Sequence, residues 1–144
     1  MKKIYMLFCR MAAAGCLVIL PVAIVGCGSG ELEIRQDFPF AVSVMPVPQA
    51  IGLRERIEIR LVIEPEQTFG ETRYFIRYFQ YEGAGSLQYY DEPPYLPNDL
   101  YPLQERNFRL YYTSESSVKQ SFRVWISDTF GNERELEFEF SSSD

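Results

Sequence analysis

Few residues of this 144-residue chain could do chemistry, and the missing types constrain it most. There is no histidine, which removes the Ser-His-Asp triad, the Cys-His pair and any His-ligated zinc. Carboxylates are plentiful, and two at the right separation can hydrolyse a glycosidic bond. Here they fall on alternate positions of strand-like stretches, as Glu135, Glu137 and Glu139 do, where solvation accounts for them. Ser114, Ser116 and Ser117 have only Lys119 nearby as a base, and nothing in the spacing selects a Ser-Lys pair. We therefore expect no enzyme, no cofactor and no small-molecule substrate.

Asp91, Glu92, Asn98 and Asp99 place four oxygen-bearing side chains in one stretch, the chemistry of a calcium loop. Their spacing fits no EF-hand, and turn formation explains Asn98 and Asp99 as well. No metal site is expected. Tyr89, Tyr90, Tyr95 and Tyr101 share that stretch, YYDEPPYLPNDLYPL at 89–103. A phenol ring offers a broad apolar face with a polar tip, suited to stacking on a sugar or anchoring a protein contact. The same rings could instead lid the edge of a core. Prolines 93, 94, 97 and 102 are too many for an interior strand, and the segment is long for a connection in a compact domain. Its aromatic and leucine content argues for order. These four tyrosines are the candidate partner-binding loop.

Cys27 is the remaining reactive group. Lys2 and Lys3 precede an apolar run at 11–25 that ends in Gly26-Cys27 and then Gly-Ser-Gly. A basic start followed by an apolar stretch reads as an export signal. Its ending in Gly-Cys is the pattern of a bacterial lipoprotein, cut before a cysteine that takes diacylglycerol. Acylation with more than one chain gives stable anchoring. Two alternatives stay open: Cys16, which follows Ala-Ala-Gly, and an uncleaved helix over 4–25 interrupted by Arg10 and Pro21. The expected organisation is a signal at 1–26, lipidated Cys27 with a tether to 36, and a domain at 37–144. Gly28 rather than an acid follows the cysteine, which favours the outer membrane. Loss of Lys2, Lys3 and Arg10 with the signal moves the net charge from −6 to −9. Direct nucleic-acid binding, which needs cations against phosphates, is not expected. The domain also keeps no second cysteine, so it must rest on its core without disulfides.

The elements that must position these groups are strands. Period-two alternation is clearest at 54–64, with Ile57, Ile59, Leu61 and Ile63 on one face. It recurs at 133–140 with Leu136, Phe138 and Phe140 inward, and at 121–127 with Phe122, Val124 and Ile126 inward. Residues 74–81 are apolar on both faces, as a central strand would be. Weaker strands are expected at 40–45, 86–90 and 108–113. Trp125 opposes the inward set of its strand, as an exposed contact or as part of a second cluster. A short turn at 83–85 suits a hairpin between its flanking strands. Seven antiparallel strands without a sustained helical period point to an all-β, immunoglobulin-like sandwich.

Several long strings carry a resemblance: QDFPF at 36–40, VSVMPVP at 42–48, YFIRYF at 74–79, YYDEPPYLPND at 89–99, FRLYYT at 108–113 and VWISDTFGN at 124–132. Together they resemble the TraQ-type lipoproteins of Bacteroides-type conjugative transposons, over nearly the whole chain after Cys27. The resemblance implies a small immunoglobulin-like domain with no established molecular activity. It also implies membership of an envelope-spanning, type IV secretion-like machine that moves DNA between cells. Partners would then be other envelope proteins of that machine, with the membrane reached through the lipid. A surface adhesin or glycan-binding module using the same tyrosines is the alternative.

Overall fold

The computed structural model describes residues 38–67 and 70–144. The signal, Cys27 and the tether lie outside the described residues. Nine strands run in chain order: β1 (Phe40–Val44), β2 (Ala50–Ile51), β3 (Arg56–Pro65), β4 (Tyr74–Glu82), β5 (Gly85–Tyr89), β6 (Tyr101–Leu103), β7 (Asn107–Ser114), β8 (Gln120–Asp128) and β9 (Glu133–Ser142). All seven expected strands are among them. The two extra ones, β2 and β6, are too short to show an alternation. Pro102 sits in β6, which pairs only with β4 and so leaves the proline at a sheet edge, where a missing N–H is tolerated.

The strands form two sheets, in the order β1-β3-β7-β5 and β2-β9-β8-β4-β6. Without β2 and β6, this is the two-sheet arrangement of a constant-type immunoglobulin domain. Two expectations need correction. The pairing is not wholly antiparallel, because β2 runs parallel to β9. Nor do β4 and β5 form a hairpin: β4 pairs with β8 and β6, whereas β5 pairs with β7 in the other sheet. The turn between them is a crossing. A register shift at Gln80/Glu82 and a left-handed Gly83 (φ 73) swing the chain out of the first sheet. Leu87 and Tyr89 then enter the shared core from the opposite side.

The alternation of β3 is realised as read, with Ile57, Ile59, Leu61 and Ile63 buried. They meet the inward residues of β8 and β9 across the sandwich. Tyr112 of β7 stacks on Phe122 of β8 at 4.3 Å, and Phe122 on Phe138 of β9 at 5.1 Å. Each such side chain contributes roughly 1.5–3 kcal/mol by leaving water.

One end of this core is polar and fully paired. The Tyr112 hydroxyl donates to Gln120 Oε1 (2.8 Å) and accepts from Gln80 Nε2 (2.9 Å). Tyr78 donates to Gln80 Oε1 (2.6 Å), while Gln120 Nε2 reaches Ser116 Oγ (2.7 Å) and the Val118 carbonyl (2.9 Å). Buried amides and phenols survive here because every one has a partner.

Candidate binding surface

The loop after β5 lies along the flank of the sandwich, and its backbone fixes it there. The Tyr95 N–H donates to the Leu87 carbonyl of β5 at 2.8 Å, and the Asn98 N–H to the Tyr78 carbonyl of β4 at 2.8 Å. One short segment thus bonds to the outermost strand of one sheet and, beyond β6, to the uncovered part of β4 in the other. Left-handed Tyr90 (φ 46) and Asn98 (φ 66) make the corners; asparagine adopts this conformation far more readily than tyrosine. The Tyr101 hydroxyl accepts from the Leu96 N–H at 3.0 Å.

This geometry divides the four tyrosines. Tyr89 and Tyr95 are buried members of the core. Tyr95 packs against Tyr101 at 4.6 Å, and Tyr89 against Tyr90 at 4.8 Å. Burial pushes the Tyr95 phenol well above its ordinary value, with Glu92 adding to the shift. Tyr90 and Tyr101 are only half-buried. The rings are therefore brought together as two edge-sealing pairs, and no open row of four rings exists. What the loop shows to solvent is Leu96 (62% exposed) and Leu100 (58%) between its prolines. In the sequence the leucines signal order but not exposure, because a proline-rich stretch has no alternation to assign a face.

Asp91, Glu92, Asn98 and Asp99 are exposed, and Asn98 Oδ1 accepts from Arg77 at 3.3 Å. Among the described residues no group of acidic or cysteine side chains is placed to hold a metal ion. The serines are occupied structurally. Ser114 Oγ donates to the Ser116 carbonyl (2.8 Å), and Ser116 Oγ accepts from Ala84 N–H (3.1 Å). Lys119 faces Glu139 (3.4 Å) and Glu82 (3.8 Å), not a serine.

Trp125 belongs to a second cluster on the outer face of the five-stranded sheet. The register sets Arg77, Trp125 and Glu135 side by side across β4, β8 and β9, then Phe79, Arg123 and Glu137 in the next row. The Arg77 guanidinium lies over the indole at 4.1 Å, and the indole N–H donates to Glu135 at 2.9 Å. Arg123 lies 4.8 Å from the Tyr81 ring centre and 3.4 Å from both Glu135 and Glu137. Stacked guanidiniums of this kind combine ring contact with charge. The single-strand patterns could not show this cluster, because it exists only once β4, β8 and β9 are aligned.

These features define an all-β sandwich whose distinctive surfaces are a sealed flank and an aromatic, charged sheet face. The chain belongs to the TraQ conjugal transfer protein family, whose sequence model matches residues 10–143. A conjugative transposon lipoprotein from Bacteroides eggerthii is 45% identical, with a TM-score of 0.68 over 72% of this chain and 98% of that one. A lipoprotein from Bacteroides thetaiotaomicron is 44% identical, with a TM-score of 0.68 over 80% and 88%. A conjugate transposon protein from Bacteroides vulgatus is 44% identical, with a TM-score of 0.66 over 78% and 91%. No curated protein matches. The expected family and all-β fold are thus found.

Proposed function

We propose that this chain is a non-enzymatic envelope lipoprotein, an accessory of a conjugative DNA-transfer machine that acts by binding other proteins of that machine. The observation that carries it is the family match over residues 10–143, together with structural relatives described as conjugative transposon lipoproteins. Cys27 would bear the lipid and hold the domain at the membrane, where confinement to one surface concentrates its partners. Gly28 after the cysteine favours the outer membrane. The loop at 89–103 is the proposed contact, offered through Leu96, Leu100 and the open edges of Tyr90 and Tyr101. A glycan-stacking adhesin is less well supported, because Tyr89 and Tyr95 are buried.

Deleting the gene separately in donor and recipient, then scoring transposon transfer, tests this. Loss of transfer from the donor deletion, restored by the wild-type gene and not by Cys27→Ser, is expected. Transfer at parental frequency from a donor lacking the gene would overturn the proposal, and a defect confined to the recipient would make the protein an immunity factor instead.

A further inference from the structure

The two sheet faces differ in kind. On the four-stranded sheet the outward residues are mostly polar and pair with one another: Ser43 with Glu64 (2.8 Å), Arg109 with Glu58 (3.5 Å) and Tyr111 with Glu58 (3.1 Å). On the five-stranded sheet β4 turns Phe75, Phe79 and Tyr81 outward, and Tyr81 is 54% exposed. Phe79 and Tyr81 meet edge to face at 4.9 Å. On the far side of β8, β9 presents Glu133, Glu135, Glu137 and Glu139, all exposed, at every second position.

The cations on this face are already engaged. Arg77 is stacked on Trp125, Arg123 is shared between Tyr81, Glu135 and Glu137, and Lys119 is shared between Glu82 and Glu139. Five carboxylates, counting Glu82 with the four of β9, thus face three cations, and Glu133 has no ion-pair partner among the described residues. Aromatic rings beside surplus carboxylates form a surface complementary to guanidinium and ammonium groups, which gain from both. A second copy of this chain would bring the same surplus of negative charge, since the chain after the signal carries a net −9.

We propose that the outer face of the five-stranded sheet, centred on Tyr81, Arg123 and the β9 glutamates, docks an arginine-rich segment of a partner protein. This deepens the protein-binding reading and rests on it, but it does not depend on which machine the partner belongs to. Bound arginines would lie along the Phe79–Tyr81 ridge with their guanidiniums toward Glu137 and Glu139. They would compete with Arg123 for the same carboxylates.

Trp125 is the single tryptophan of the chain, so its emission reports this face. The test is to titrate the lipidated protein in non-ionic micelles with octaarginine at low salt, using octaglutamate as control. A saturable emission change with octaarginine alone, weakened by added salt, is expected. Tyr81→Ala should weaken binding about two- to fivefold, the worth of one exposed cation–ring contact. E135Q/E137Q/E139Q should weaken it more than tenfold; glutamine keeps an acceptor for the indole N–H, and matched thermal melts establish folding. No response in the wild type, or an equal response in the triple variant, would overturn the proposal. So would an emission change that tracks the concentration of the protein alone, which would assign the face to a second copy. A silent titration beside a donor deletion that abolishes transfer discards this surface and keeps the conjugative role; the opposite pair of results does the reverse.

Discussion

Gly85 lies directly against the phenol of Tyr112: a Cβ at residue 85 would stand 2.2 Å from the hydroxyl oxygen and 2.4 Å from the ring carbon that bears it. Tyr112 cannot retreat, because it is buried and stacked on Phe122 at 4.3 Å. Glycine at 85 is therefore a packing requirement of the crossing between the sheets. Gly85→Ala should cost about 1–3 kcal/mol, the usual penalty of overpacking a filled core, read as a lower urea midpoint with unchanged slope.

The glutamines behind that phenol make a second prediction. Gln120→Leu keeps the volume roughly constant but removes the shorter acceptor of the Tyr112 hydroxyl, leaving Gln80 Oε1 at 3.2 Å, and takes the amide donor from the Val118 carbonyl. Losing these bonds should cost about 0.5–1.5 kcal/mol. A stability equal to wild type would mean that water reaches this end of the sandwich.

Tyr95 and Leu96 are neighbours with opposite roles. Tyr95→Ala removes a buried ring from the flank and should destabilise by about 3–5 kcal/mol, as large aromatic truncations do. Leu96→Ser, at a residue 62% exposed, should stay within about 0.5 kcal/mol of wild type. Only the second substitution can test the loop as a contact in mating assays, since the first damages the fold as well.

Alkaline pH should unfold the domain. Burial raises Tyr78 and Tyr95 above their ordinary value near 10, and pushes Tyr112 up to about 12 against a lowering hydrogen bond with Gln80. Glu115 adds to the rise at Tyr78 and Tyr112. The folded state thus holds these protons more tightly than the unfolded chain. Their contribution is fully present below about pH 10 and is lost as pH climbs toward 12 and beyond, because the unfolded state then ionises first. Urea midpoints flat up to about pH 10 and falling above it, with a late near-ultraviolet phenolate signal, would bear this out.

Strand existence was legible where one strand carried its own pattern. Ile57 through Ile63 and Phe138 with Phe140 announce their buried face because side chains alternate with the pleat. Pairing was not legible at Gly83, since a short glycine turn serves a hairpin and a crossing alike, and the choice is made by where Leu87 and Tyr89 find a core. The composition of the loop announced order, yet not which rings were buried, because Tyr95 is seated by its backbone bond to Leu87 and Tyr101 by pairing in β6, neither of which composition shows. Trp125 stayed ambiguous for a similar reason. Its partners Arg77 and Glu135 are remote in sequence and adjacent only through register.

The loop that bonds to Leu87 and Tyr78 has a further effect under the proposed anchoring of Cys27 in a membrane. Copies confined to a surface meet far more often than copies in solution, and exposed strand margins are templates for stacking into aggregates. Here a proline-rich segment spends its own N–H groups on those margins. It acts as a gatekeeper on that flank, where β5 and the open part of β4 are shielded from pairing with the backbone of a neighbouring copy.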